Sequence, residues 1–250
     1  MKALVLAAGE GTRLRPLTLD RPKPMLPVAG RPLLEHLVAL LAAHGMREIA
    51  INLHFRPEAI VDHFGDGSRF GVRITYSREP RLLGSAGAAR RLDWFLDDPF
   101  LVLYGDVLTD VDLSSLVDAH RRFGGVGTIA LNQADDPTRS GIVQIDGGGR
   151  VTGFVEKPTP GEFGNLANSG IYVLDRASID HVPPGRPFDF GADLFPALLS
   201  AGVPLYGVPA PGYVLDVGSP ERDRQAELDL QAGRGRSYAV DGRVTAEVGR

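Results

Sequence analysis

Leu4-Val5-Leu6-Ala7-Ala8-Gly9-Glu10-Gly11-Thr12-Arg13-Leu14-Arg15-Pro16, followed shortly by Pro22-Lys23-Pro24, decides the fold. Lys2–Leu6 reads as a strand buried on both faces. It runs into a turn whose glycines let backbone N–H groups approach an anion and form a nest. Arg13 can add a bidentate phosphate contact. The turn is neither of the two common phosphate loops. Position 14 is Leu where the dinucleotide fingerprint needs a small residue, and no Gly-Lys-Ser/Thr follows for a Walker A loop. Of the 27 basic residues only Lys2, Lys23 and Lys157 are lysines, and the last two each precede a proline. In so arginine-biased a chain, a lysine fixed between prolines points to a place where a compact ammonium is wanted rather than a planar fork.

Working outward, helical and extended patterns alternate. The apolar spacing predicts a helix over Pro32–Gly45, with Leu33, Leu34, Leu37, Val38 and Leu41 on one face. A strand follows at Ile49–Leu53, then a helix at Pro57–Phe64, a strand at Val72–Tyr76, a helix at Gly84–Phe95, a strand at Phe100–Tyr104 and a helix at Leu113–Phe123. This β-α alternation implies a mostly parallel sheet covered by helices. After residue 125 the pattern becomes β-rich. Strands are expected at Thr128–Leu131, Ile142–Ile145, Val151–Val155, Gly170–Leu174 and Pro204–Val208, and helices at Phe190–Ala201 and Ser219–Ala232. Ser219 suits the cap and Pro220 the first turn of the last helix. The expected architecture is one α/β catalytic domain over 1–232 with a β-rich insertion, and a Gly/Arg-rich tail over 233–250.

Composition narrows the function. A net charge of -4 and no run of five Lys/Arg argue against nucleic-acid partners. The absence of cysteine removes disulfides, thiolate catalysis and Cys-ligated metals. The opening apolar run is too short for a secretory signal, and no stretch is long enough to span a membrane. The expected location is cytoplasmic.

Asp106 ends a buried apolar strand, and Asp216 ends Tyr213-Val214-Leu215. Two strand-end carboxylates beside a phosphate loop suit Mg²⁺, which takes one or two carboxylates plus phosphate oxygens and water. Asp110 and Asp112 read as turn and cap residues, the six histidines as packing or surface, and Trp94 as core.

From Leu6 to Leu34 the chain closely resembles the opening motif of the sugar-1-phosphate nucleotidyltransferases, with further likeness at Gly84-Ser85-Ala86-Gly87, Tyr104-Gly105-Asp106, Phe154–Pro158, Asn168–Tyr172 and Asp216–Pro220. The resemblance implies a Rossmann-like fold and Mg²⁺ held by Asp106 and Asp216. The implied catalytic set is Arg13, Lys23, Asp106 and Asp216. Nucleotide contacts fall on Leu6, Ala8, Gly9, Gly11, Thr12, Arg13, Lys23, Glu79, Gly84, Ser85 and Asp106. The sugar phosphate falls to Gly141, Glu156, Lys157, Asn168, Gly170 and Asp216. The substrates would be an NTP and a sugar 1-phosphate, and relatives of this kind form homodimers or larger homo-oligomers. Leu83–Gly87 and Asp106–Asp112 look most like mannose-1-phosphate guanylyltransferases. The acidic residue those enzymes carry just before Leu-Gly stands farther upstream here, at Glu79, and Asp216 lacks the usual preceding Trp. Uridylyl or thymidylyl transfer to another hexose 1-phosphate, heptose-1-phosphate guanylyl transfer, and a non-catalytic nucleotide-sugar-binding paralogue are the alternatives. A nicotinamide dehydrogenase fails at Leu14.

Overall fold

The structure, a computed structural model, describes residues 1–159, 161 and 164–238, and the backbone of 244–245. Part of the expected 233–250 tail, at 239–243 and 246–250, therefore lies outside the described residues. In chain order the principal elements are β1 (Ala3–Leu6), α1 (Leu33–Ala43), β2 (Glu48–Leu53), α2 (Pro57–Phe64), β3 (Arg73–Arg78), α3 (Gly84–Arg91), β4 (Phe100–Tyr104), β5 (Val107–Thr109) and α4 (Leu113–Phe123). The second half adds β6 (Gly127–Gln133), β7 (Gly141–Ile145), β8 (Val151–Glu156), β9 (Leu166–Leu174), α5 (Phe195–Ser200), β10 (Leu205–Pro209), β11 (Val214–Asp216), α6 (Pro220–Gln231) and β12 (Ser237–Tyr238). The fold is mixed α/β, with a mostly parallel sheet flanked by helices. No helix among the described residues is long and apolar enough to cross a membrane.

The chain forms two compact units. The first takes Lys2–Leu82, Leu103–Asp112 and Gly212–Arg250. Here β1, β2 and β3 run parallel, with Val5 opposite Ile51 and Ile51 opposite Tyr76. The apolar run of β1 is buried, as a strand covered on both faces requires. Every residue from Leu33 to Ala42 in α1 is buried, including Glu35 and His36. Their polar atoms are matched internally: Glu35 pairs with His63 at 2.8 Å, and the His36 ring meets the Val28 carbonyl at 2.9 Å. A second cluster joins Val28 and Leu33 to Leu108, Leu215, Val217, Ala226 and Leu230. That cluster anchors β5, β11 and α6 to the base of α1.

The second unit takes Met1, Leu83–Val102 and Leu113–Pro211. Its strands are mostly antiparallel: β8 with β7, β7 with β9 and β9 with β6, while β10 joins β6 in parallel. The β-rich style expected after residue 125 is thus an antiparallel assembly.

Two expectations need correction. The helix begun at Gly84 stops at Arg91 rather than Phe95, with Leu92 as its C-terminal cap. Trp94 then falls in the following turn and is 73% exposed, not core, and Phe95 takes the buried place instead. Asp216 does end a strand, but that strand pairs antiparallel with β5 in a separate two-stranded ladder.

Candidate active site

The first unit builds its site around Lys23. Pro22 precedes a single 3-10 turn at Lys23–Met25, with Pro24 inside it. The prolines hold φ near its helical value, so the lysine leaves a stiff backbone. The side chain is only 8% exposed. It passes Gly11, whose φ of +63° suits glycine. A Cβ there would lie 3.0 Å from Lys23 Cβ and 3.1 Å from Thr18 Cγ2. Thr18 Oγ1 donates to the Gly11 carbonyl at 2.8 Å and fixes the turn from below. Gly9, Thr12 and Arg13 stand exposed around this turn, while Ala8 is buried.

Lys23 Nζ donates to Asp106 Oδ2 at 2.7 Å and to Asp216 Oδ1 at 3.3 Å. The two carboxylates meet because of the β5–β11 ladder. Asp216 sits opposite Val107, and the Val217 N–H donates to the Asp106 carbonyl at 2.9 Å. Gly105 in turn donates to the Leu6 carbonyl at 2.8 Å, which sets the Asp106 turn beside the end of β1. One compact cation therefore bridges two carboxylate oxygens at the mouth of a Gly-rich turn. A pair of hard oxygen donors that accommodates an ammonium also suits Mg²⁺, which completes its shell with phosphate oxygens and water. Among the described residues no group of three or more acidic or His side chains converges as a metal cage.

Glu79 lies elsewhere in this unit and is nearly fully buried. It accepts from Asn52 Nδ2 at 2.8 Å, and Asn52 Oδ1 accepts the Ala7 N–H at 2.7 Å. Glu79 thus reaches the Ala7-Ala8-Gly9 backbone through Asn52, a residue the sequence reading did not single out. The signal was present, since Asn52 is the one polar side chain in the otherwise apolar run Ile49–Leu53.

The second unit carries the remaining candidates. Gly84 (φ +71°) opens α3, and a Cβ on it would meet the Phe188 carbonyl oxygen at 2.6 Å. Ser85 donates through its N–H and hydroxyl to Asp189 Oδ1 at 2.9 and 3.0 Å, and its oxygen accepts from the Phe190 N–H. These two residues hold the 188–190 segment against the start of α3. Glu156 ends β8 opposite Gly141. A Cβ at Gly141 would approach Glu156 Oε2 to 2.7 Å, and one at Gly191 to 3.0 Å. Both glycines therefore clear space around the carboxylate, and Gly191 was not foreseen. Lys157 adopts φ +51°, a strained value for a lysine, and its Nζ lies 3.9 Å from Glu156. Asn168 donates to the Tyr172 hydroxyl and accepts from the Gly170 N–H at a bulge in β9.

Burial pushes the Glu156 carboxyl above the usual carboxylate range. The neighbouring Asp189 charge acts in the same direction, and Lys157 opposes both. With the folded-state pKa raised, the folded chain holds this proton more tightly than the unfolded one. Stability from this group is then full below about pH 4.3 and declines as pH rises through the raised value. Glu156→Gln removes that dependence. Its melting temperature relative to the parent should rise from acid toward neutral pH. Parallel melting curves across that pH range would contradict this account.

Residues 2–232 match the nucleotidyl transferase family. The chain is 40% identical to a UTP–glucose-1-phosphate uridylyltransferase of Synechocystis sp., over 87% of this chain and 60% of that protein. It is 40% identical to a mannose-1-phosphate guanylyltransferase of Mycobacterium tuberculosis, over 96% of this chain and 67% of that protein. It thus spans roughly three fifths to two thirds of the length of these curated relatives. A solved structure described as a glucose-1-phosphate thymidylyltransferase from Bacillus anthracis, in complex with sucrose, superposes with a TM-score of 0.83 at 27% identity, covering 91% of this chain and 94% of that one. The turn, the Pro-flanked lysine and the strand-end carboxylates belong to a chain that is a member of the nucleotidyl transferase family.

Proposed function

We propose that the protein transfers a nucleotidyl group from an NTP to a sugar 1-phosphate, giving an NDP-sugar and pyrophosphate. The observation that carries this is the buried Lys23 ammonium bridging Asp106 and Asp216 beside the Gly11 turn. A phosphate oxygen of the sugar phosphate forms a new bond to the α-phosphorus. The bond from that phosphorus to the bridging oxygen breaks, and its electron pair leaves with pyrophosphate. The nucleophile has a second pKa near 6 and is already an anion at neutral pH, so no general base is required. The barrier is anion repulsion and charge building on the leaving group, which positioning and charge neutralisation lower.

Each residue has a role in that scheme. Lys23 stabilises charge at the α-phosphate, and Arg13 with the N–H groups of Gly9–Thr12 holds the β- and γ-phosphates. Asp106 and Asp216 would hold Mg²⁺, which when bound supplies charge neutralisation at the reacting phosphates. Lys157 takes the sugar phosphate. Glu156, Asn168 and Gly170, with Gly141 giving room, take the sugar hydroxyls. Glu79, through Asn52, sets the Ala7–Gly9 backbone where the nucleoside is bound.

GTP and mannose 1-phosphate are the favoured pair, on the Leu83–Gly87 and Asp106–Asp112 sequences and the guanylyltransferase relative. Transfer from UTP or dTTP to a glucose-type phosphate is the second reading, favoured by the uridylyltransferase relative. A pyrophosphate-release assay decides between them. It crosses GTP, UTP, dTTP, CTP and ATP with mannose, glucose, galactose and N-acetylglucosamine 1-phosphates in the presence of Mg²⁺. Release that depends on one pair names the substrates. Nucleotide binding with no release on any pair removes the proposed reaction for these sugars.

A further inference from the structure

Asp110 is neither a turn former nor a helix cap. Its Oδ1 accepts the Tyr213 N–H at 2.6 Å, its Oδ2 accepts the Arg236 N–H at 2.9 Å, and its own N–H donates to the Tyr213 carbonyl at 3.1 Å. Tyr213 is the residue before β11, and β11 ends at Asp216. The ladder between them pairs Val214 with Thr109, Leu215 with Leu108 and Asp216 with Val107. Asp110–Tyr213 closes this ladder at one end, and the Val217 N–H to the Asp106 carbonyl closes it at the other. A two-stranded ladder this short has little intrinsic stability. A one-residue slip would turn Asp216 to the opposite face.

The far side of β11 is clamped as well. The Tyr213 hydroxyl donates to Asp229 at 2.8 Å, and Asp229 also accepts from Gln225 and Arg234. Gly212 sits against Asp110 with φ +141°, and a Cβ there would come within 2.8 Å of Asp110 Oδ1.

From this we infer that Asp110 is a positioning residue: it fixes the register of β11, and thereby holds the Asp216 carboxylate beside Asp106 as a divalent-cation pair, and it ties the chain at Arg236 into the same arrangement. The inference rests on the proposed role of Asp106 and Asp216, and it places Asp110 one step removed from the cation.

The test is Mn²⁺ binding to the whole chain, read by electron paramagnetic resonance, with pyrophosphate release measured alongside. Asp110→Asn keeps size but replaces one acceptor oxygen by an N–H donor, which opposes a backbone N–H. It should weaken Mn²⁺ binding by about 10-fold or more, the scale for outer partners of metal ligands. Asp112→Asn makes the same charge change next to the ladder and should shift binding less than about 2-fold, as screened surface charges do. Gly212→Ala keeps every charge and pushes on Asp110, so weaker binding in it is geometric. It also serves if Asp110→Asn does not fold. Unaltered Mn²⁺ binding in folded Asp110→Asn, or in Gly212→Ala where Asp110→Asn is unfolded, overturns the inference, as does an equal loss in Asp112→Asn. A parent protein that binds no Mn²⁺ overturns it too. Metal-dependent release by the parent with unaltered Asp110→Asn would leave the proposed reaction standing and remove only the role of Asp110. Weakened Mn²⁺ binding without release on any substrate pair would do the reverse.

Discussion

Lys23→Ala is expected to lower turnover by about 10²-fold or more, the scale of removing one preorganised donor at a site of developing charge. The ammonium is buried, reaches two carboxylates and leaves a proline-stiffened turn. It is therefore set in place before substrate arrives, and little reorganisation follows binding. The effect should fall mainly on kcat, since charge at the α-phosphate grows in the transition state. Lys23→Arg should be poorly tolerated as well. A guanidinium is planar and larger, and the side chain must pass where even a Cβ at Gly11 would lie 3.0 Å from Lys23 Cβ. Steady-state kinetics on protein shown to be folded by circular dichroism makes the check. Turnover within a few-fold of the parent in Lys23→Ala would remove the lysine from the chemistry.

Asp106→Asn is expected to be nearly as damaging. The amide keeps the shape of the side chain but loses its charge. Lys23 is left with Asp216 alone, at 3.3 Å and on a carboxylate that is 63% exposed. Separating a buried cation from its nearer partner destabilises the local structure, because the desolvated charge loses its compensation. The divalent cation would lose one of two protein ligands. Turnover should drop by about 10²-fold, and the Mg²⁺ concentration for half-maximal rate should rise by at least about 10-fold, a shift that loss of an outer partner alone can produce. A Mg²⁺ titration of the rate, parent against variant, reads both. An unchanged Mg²⁺ midpoint would separate Asp106 from the cation even if turnover fell. Glu156→Gln should behave differently, through the KM of the sugar phosphate and a pH-dependent stability gain.

Residues that act through their own backbone or immediate neighbours were legible in the chain. The Gly9–Arg13 turn, the Pro-flanked Lys23, the α1 spacing and the Ser219 cap follow from local dihedral preferences and short-range periodicity. Ser219 does accept the Arg222 N–H, as a cap of that type does. Asp110 was misread for a related reason. In isolation, an aspartate just before a helix is most economically a turn or cap residue, and only the partner strand more than one hundred positions away shows otherwise. Trp94 was misplaced because the periodicity of α3 ran past the point where the helix ends. Ser85 also ties the start of α3 to Asp189 and Phe190, a link more than one hundred positions long that no spacing rule reveals.

The sequence by itself determined the β-α alternation, the Gly-rich turn after β1, the Pro-flanked setting of Lys23 and the family to which these belong. Only the tertiary structure decided that Lys23 meets Asp106, 83 positions away, and Asp216, 193 positions away. It alone decided that Asn52 links Glu79 to the Ala7 backbone, and that Asp110 accepts the Tyr213 N–H just before the strand that ends at Asp216. The physical reason is that local patterns set dihedrals and faces, whereas convergence of distant side chains depends on strand register and on which apolar faces pack together. Those are properties of the whole chain folded, and no short stretch contains them.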